Sequence, residues 1–333
     1  MAFILICFII PAIMTRRKTI TVAKEENISE AQTNVQSTDN QEEKQNYEYK
    51  KYGNIILLHK KTGETEQVNI DEYLCNVVSA EMPANYEIEA LKAQAIVART
   101  YTIYKILNKK HENADICDDS TCCQAWISKS DRLARWDENN REKNWQKIYE
   151  CVNNTKGKII TYNNKPINAF FHSNSGGITE IPVNVWGGTG YPYLQSVETS
   201  GEDAYTQYAS EVTFTQQELI NKLKEKYEDI SINFLNKDDI KILEYTESTR
   251  VKNVKFGNHE LSGVEARTLF GLRSTNFEIT QENNNIKFSV KGYGHGVGMS
   301  QTGADSMAKK GSNAEEIIKY FYTGVEIKDV NEI

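Results

Sequence analysis

Between Ile70 and Tyr101 the chain carries two helical patterns separated by a proline, and this break limits the possible folds more than any other feature. Ile70, Leu74, Val77 and Val78 recur at helical spacing, while Pro83 disfavours a helical Met82, so the chain must turn there. The second pattern has alanines at 90, 93, 95 and 98 with Leu91 and Val97. Side chains that small let neighbouring elements come close, which predicts a central, buried helix. Glu81 falls at the corner between the two patterns. A carboxylate displayed at a turn is placed to act as a catalytic acid; the alternative is that it caps the helix following Pro83, since acidic residues favour helix starts.

The 333 residues give room for one large domain or two ordinary ones, and 39% hydrophobic with 26% charged residues is the balance of a globular protein. A net charge of -7 without a basic stripe argues against a nucleic-acid partner. Met1 to Met14 is uncharged and mostly apolar but shorter than the roughly 20 residues of a spanning helix. Arg16, Arg17 and Lys18 follow it, whereas a signal peptide carries its positive charge first. Residues 1–18 are therefore expected to be an apolar anchor or export remnant. From about Ala23 to Gln45 the chain is mostly Glu, Gln, Asn, Ser and Thr, too polar to offset the entropy of ordering, so residues 19–49 are expected to be a disordered tether. The folded part is then 50–333, working at the extracytoplasmic face of the cell membrane and anchored by its N-terminus.

Within it, Asn54 to His59 and Glu66 to Ile70 read as a hairpin around Lys61-Thr62-Gly63. Asn144 to Val152 has helical spacing, and Lys158 to Tyr162 with Ile167 to His172 reads as a hairpin across Asn163-Asn164. A helix over Gln216 to Lys226 precedes strands at Ile240 to Tyr245 and Val251 to Phe256. A helical stretch opens near Ser262, and Phe277 to Thr280 pairs with Ile286 to Val290. Ser312 with Glu315 reads as a capping box before Ile317, Ile318 and Phe321. Without a repeat or a regular βαβ alternation, the fold class is α+β: mixed helices and antiparallel hairpins forming lobes around a substrate cleft.

Three constellations bear on chemistry. Glycoside cleavage requires a protonated carboxyl group for the leaving oxygen, a role Glu81 suits if apolar neighbours desolvate it and raise its pKa. Glycines at 292, 294, 296 and 298 lack the spacing of a dinucleotide fingerprint and a Walker lysine. They either let the backbone approach a ligand or an adjacent element, presenting His295, Ser300 and Gln301 at a helix entrance, or form a tight structural crossing. His111, Cys117 and Cys123, with Cys122 adjacent, put soft ligands within thirteen residues, a span that can wrap one tetrahedral zinc. A disulfide from Cys117 to Cys122 or Cys123, or free thiols, are the other readings. Cys75 and Cys151 lie on apolar helical faces and are expected in the core. His172 and Ser173 end a strand without a nucleophile elbow and are read as polar groups lining a cleft. Trp126, Trp136, Trp145 and Trp186 either stack on sugar faces or belong to the core.

Taken together, Ala80-Glu81-Met82-Pro83 with Glu89-Ala-Leu-Lys-Ala-Gln-Ala and Ala98-Arg-Thr-Tyr, Phe170-Phe-His-Ser-Asn-Ser-Gly-Gly, and Gly292-Tyr-Gly-His-Gly-Val-Gly-Met-Ser-Gln-x-Gly-Ala304 resemble the stage II sporulation protein D family, clostridial type, from about residue 50 to the C-terminus. The resemblance implies a membrane-anchored lytic transglycosylase of peptidoglycan, active during engulfment in endospore formation. It would cleave the β-1,4 bond between N-acetylmuramic acid and N-acetylglucosamine and leave 1,6-anhydro-muramoyl ends. Glu81 would be the catalytic glutamate, with Lys92, Arg99 and Tyr193 joining His172, Ser173, His295, Ser300 and Gln301 in the substrate cleft. His111, Cys117 and Cys123 would be ligands of a structural zinc, with the fourth ligand open. Stage II sporulation proteins P and M would be partners on glycan strands stripped of stem peptides. The same domain occurs in amidase enhancers, so a non-enzymatic, wall-binding activator of an amidase is the alternative, and a structural zinc module serving another membrane protein is a third.

Overall fold

The computed structural model describes residues 47–333, so the expected anchor (1–18) and the tether up to residue 46 lie outside the described residues. The last residues assigned to the tether belong to the body. Tyr47 donates its hydroxyl to Asp329 at 2.7 Å and Tyr49 donates to Asp71 at 2.8 Å, tying the start of the described chain to its C-terminal end and to its first helix. Among the described residues no helix is long and apolar enough to cross a membrane.

The chain runs through β1 (Asn54–Leu58), β2 (Thr65–Asn69), α1 (Ile70–Glu81), α2 (Ile88–Leu107), β3 (Ile116–Cys117), α3 (Lys129–Arg135) and α4 (Arg141–Asn153). It continues with β4 (Lys158–Tyr162), β5 (Lys165–Pro166), β6 (Phe171–His172) and α5 (Pro182–Trp186). Next come β7 (Ala209–Thr215), α6 (Gln216–Lys224), β8 (Ile240–Tyr245), β9 (Val251–Phe256), β10 (His259–Ser262), α7 (Gly263–Phe270), β11 (Asn276–Glu282) and β12 (Asn285–Lys291). The chain closes with β13 (Met299–Ser300), α8 (Gln301–Lys309), α9 (Ala314–Phe321) and β14 (Glu326–Asp329). The class is α+β, with mostly antiparallel pairing: β1 with β2, β4 with β5 and β14, β9 with β8 and β10, β12 with β11 and β7.

Helix α1 starts where Asn69 accepts hydrogen bonds from the amides of Asp71 and Glu72, a side-chain cap. It stops at Glu81 because Met82 is extended, as a residue before proline should be. Helix α2 is the centre of the larger core. From Ala93 to Ile103 every residue is buried, so over those three turns the helix has no solvent face and packs against α1, α4, α8, α9 and β4. Its buried threonines satisfy themselves on the preceding turn, Thr100 donating to the Ile96 carbonyl at 2.7 Å and Thr102 to that of Ala98 at 2.8 Å.

A second hydrophobic cluster, which includes Phe256, Phe270, Phe277 and Phe288, fills a lobe made from residues 209–291. The lobe is a closed excursion: Ala209 pairs with Lys291, and the Gly292 amide donates to the Tyr208 carbonyl at 2.6 Å. A second attachment comes from Arg250, whose buried guanidinium donates to the carbonyls of Ser175 at 2.6 Å and Ile178 at 2.9 Å in the body.

Two local expectations need correction. The hairpin after β4 turns at Asn163 and Asn164, both with positive φ, but its second strand ends at Pro166. The Asn168 amide donates instead to the Tyr193 hydroxyl at 3.0 Å, and Phe171–His172 crosses to pair in parallel with Met299–Ser300. The capping box before Ile317 is formed by Asn313 and Glu316 rather than Ser312 and Glu315. The Asn313 side chain reaches the amides of both Glu315 and Glu316.

Candidate active site

Glu81 is the last residue of α1 and is half-buried at the corner. Its Oε1 accepts the Ala125 amide at 2.7 Å and its Oε2 accepts the Gln301 side-chain amide at 3.4 Å. It does not cap the next helix: the N-cap of α2 is Glu87, which makes no side-chain cap bond. Burial pushes the Glu81 carboxyl up to about 7, against the opposing effect of those two hydrogen bonds. Gln301 is the first residue of α8 and also lies 3.5 Å from the Gln94 oxygen on α2. The end of α1, the start of α8 and the backbone at Ala125 thus converge on one carboxylate, with α2 holding Gln301 through Gln94.

Gln301 is aimed by what holds the start of α8. Ser300 caps that helix, accepting the Gly303 amide at 3.2 Å, and gives its own proton to the buried Glu202. Glu202 also receives hydrogen bonds from the Ser175 amide at 3.1 Å, the Gly177 amide at 3.0 Å, and the hydroxyls of Ser175 (2.5 Å), Thr199 (2.6 Å) and Thr302 (3.0 Å). Burial alone would raise its pKa, yet these donors hold the carboxyl below its usual range. Glu202 therefore stays ionised and joins the Phe170 motif to the Gly292 motif.

The glycines of the second motif serve close approach to protein rather than to a ligand loop. Gly294 has φ 113, and a Cβ on it would stand 2.8 Å from that of His172. Gly298 has φ 72, and a Cβ there would run into the Phe170 carbonyl.

Beyond Glu81, the donor atoms of His111, Cys117, Cys122 and Cys123 all lie within 4.8 Å of one another. Three thiols and an imidazole at that range fit a soft divalent ion such as zinc. The five described cysteines are free of disulfides, and Cys75 and Cys151 are buried in the core as expected.

Comparison with known proteins gives the family. A family model described as "Stage II sporulation protein" matches residues 58–162, a span holding Glu81, α2 and the thiol cluster. Stage II sporulation protein D of Bacillus subtilis (strain 168) is 36% identical over 269 residues, covering 80% of this chain and 76% of the relative. Its counterpart in Bacillus amyloliquefaciens is 34% identical over 270 residues, with the same coverage of 80% and 76%. The chain belongs to the stage II sporulation protein D family. The amidase enhancer of Bacillus subtilis is also similar, 29% identical over 303 residues that cover 76% of this chain and 40% of the enhancer.

Not all residues expected at the site of a stage II sporulation protein D reach it. Arg99 is wholly enclosed: it pairs with Asp71 at 3.2 Å and donates to the carbonyls of Thr155, Lys158 and Val152. Asp71 stands ten residues before Glu81 on α1, about 15 Å away along the axis, so Arg99 ties elements together and does not face the acid. Lys92 pairs with Glu89 at 2.7 Å and lies about 200° around α2 from Gln94, hence on the opposite face. Tyr193 is buried, with its hydroxyl taken by Asn168, and the Ser300 hydroxyl is committed to Glu202.

His172 is also enclosed. Its Nδ1 donates to the Val297 carbonyl at 3.1 Å, and burial with the nearby Arg250 charge pushes its pKa down to about 3. Ser173 is half-buried, and its carbonyl accepts the Thr302 amide at 3.0 Å. His295 accepts the Val297 amide at Nδ1 and is kept neutral by burial and by His172, Arg267 and Arg250. It packs against Phe170 and the half-exposed Trp186, with ring centroids 6.0 and 5.1 Å away. Trp126, Trp136 and Trp145 lie against the main core, which leaves Trp186 the most exposed of the four.

Sequence reasoning missed Glu202, Gln94 and Ala125. A lone glutamine within an alanine run on a buried helix signals Gln94, and the hydroxyls of Ser175, Ser300 and Thr302 signal that some acceptor must exist. Nothing in the sequence marks a backbone amide such as that of Ala125.

Proposed function

We propose that this protein is a lytic transglycosylase of peptidoglycan, cleaving between N-acetylmuramic acid and N-acetylglucosamine on strands without stem peptides during engulfment in endospore formation. The observation that carries the reading is a partly exposed Glu81 whose pKa is raised to about 7 by burial, with no second carboxylate among the described residues hydrogen-bonded to it. Held neutral, Glu81 gives its proton to the glycosidic oxygen as the bond to the anomeric carbon breaks. As a carboxylate it then takes the proton of the muramoyl C6 hydroxyl, whose oxygen closes on the anomeric carbon. The product is a 1,6-anhydro end, and no water is consumed. Ala125 and Gln301 donate to the carboxylate throughout and so fix its orientation.

Zinc is the proposed cofactor, held by His111, Cys117 and Cys123, and its contribution is to shape the loop beside Glu81. An N-terminal anchor to the extracytoplasmic membrane face and cooperation with stage II sporulation proteins P and M complete the proposal. Likeness to an amidase enhancer favours a second reading, a wall-binding activator without chemistry of its own.

Purified protein incubated with peptide-free glycan strands should yield anhydro-muramoyl ends by mass spectrometry, and Glu81→Gln should lower their rate at least about a hundredfold. Unchanged products from the variant would sink the reading. Absence of anhydro ends together with stimulation of an amidase would favour the activator.

A further inference from the structure

A cavity of about 540 Å³ opens between the first half of α1, the start of α3, one face of α4 and the first described residues. That volume falls within the roughly 300–1,000 Å³ of small-ligand sites. It shares no residue with the Glu81 site. Its α1 wall includes Asn76, five residues before Glu81, hence about 7.5 Å away along the helix axis and about 140° around it. On α4, Trp145, Tyr149, Val152 and Asn153 follow at intervals that put them on one helix face, with Trp145 half-buried and Tyr149 exposed. Tyr47 and Tyr49 add two further rings, set edge to face with centroids 4.9 Å apart. Their hydroxyls are already given to Asp329 and Asp71, so what they offer the cavity is ring surface.

The polar groups narrow the ligand. Two carboxylates, Asp71 and Glu72, and two ammonium groups, Lys129 and Lys156, leave the wall without net charge. An anion would find no excess of positive charge there, and a hydrocarbon would strand charged groups away from water. Lys129 stands 5.1 Å from the Trp145 ring centroid, so a donor and an aromatic face are presented side by side. Asn76 Oδ1 is enclosed and has no hydrogen-bond donor among the described residues, a costly state unless a ligand brings an N–H or O–H to it. A pyranose ring has C–H faces that stack on aromatic rings and hydroxyl edges that both donate and accept. An N-acetylated amino sugar adds one amide N–H, which suits Asn76 Oδ1, and one carbonyl, which suits a lysine. We propose that this cavity is a second, non-catalytic glycan site that takes a neutral oligosaccharide of N-acetylated amino sugars, stacked on Trp145 and Tyr149 with an acetamido N–H on Asn76. It extends the glycan reading of Glu81 to a second place on the chain, where a strand is held and not cut. Its test reads occupancy rather than cleavage, so its failure leaves the reaction assigned to Glu81 untouched.

The full chain carrying Glu81→Gln, so that the probe is not cut, would be titrated with the β-1,4-linked N-acetylglucosamine tetramer while the indole N–H signals of its four tryptophans are followed by NMR, that of Trp145 being assigned with Trp145→Phe. The Trp145 signal should move and saturate. Tyr149→Ala in the same background should weaken that binding at least about fivefold while leaving the response of Trp186 as it was. The acetamido contact is tested against the β-1,4-linked glucose tetramer, which should move the Trp145 signal with at least about fivefold lower affinity, a preference that Asn76→Ala should remove. A Trp145 signal unmoved by the N-acetylglucosamine tetramer, or moved as readily in Tyr149→Ala, would overturn the site. Equal binding of the two tetramers with Asn76 in place would overturn the amino sugar as its ligand.

Discussion

A single carboxyl group dominates the chemistry at the residue scale, and its environment has a pH signature. Glu81 has a folded pKa of about 7 against an ordinary 4.5, so its contribution to stability is fully present below pH 4.5 and is lost as pH rises through 7. Above that, the wild type carries a half-buried charge that Glu81→Gln lacks. The variant should therefore be more stable than wild type at pH 8, by about 1–3 kcal/mol, and nearly equal to it at pH 4, as read from urea midpoints. A gap independent of pH would contradict the desolvated acid. The corner that displays Glu81 was legible in the sequence from Pro83 alone. What faces it was not: the Ala125 amide comes from a distant loop, and Gln301 arrives from 220 residues away. Arg99 and Tyr193 were legible as important but not as enclosed, because a motif records constraint without recording whether a side chain faces solvent or core.

Elements carry the close packing that holds those residues in register. Gly298 and Gly311 both have positive φ, at 72 and 97, but a Cβ on Gly298 collides with the Phe170 carbonyl while one on Gly311 meets nothing within 4 Å. Both alanine variants pay the left-handed cost of about 1–2 kcal/mol; Gly298→Ala must also part β13 from β6, so it should lower stability by at least about 2 kcal/mol more than Gly311→Ala. Equal losses, measured by thermal unfolding, would show that the close crossing carries no energy of its own. Helical periodicity made α1 and α2 legible, and alternation made most of β8 to β12 so. The short parallel pair of β6 and β13 left no such trace, since two residues are too few to show a period. The capping box slipped by one because Ser312-x-x-Glu315 and Asn313-x-x-Glu316 overlap, and both satisfy the same rule.

Across the whole molecule, the described chain is fastened at its beginning and its end. A chain starting at residue 50 would lose Tyr47 and Tyr49, and with them the hydrogen bonds to Asp329 and Asp71. It should unfold about 2 kcal/mol more easily than one starting at residue 46, allowing about 1 kcal/mol for each bond, and equal melting temperatures would place the true boundary later. The α+β class was readable from the disorder of the element sequence. The division into two cores was not, because strands of the lobe and of the body alternate in the same way along the chain. That division has a mechanical consequence. A module sewn on along one seam swings like a door, but the lobe is joined at the Tyr208–Gly292 seam and riveted again by Arg250. It behaves as a bracket, passing any load on its outer surface into the backbone of Ser175 and Ile178 at the Phe170 motif.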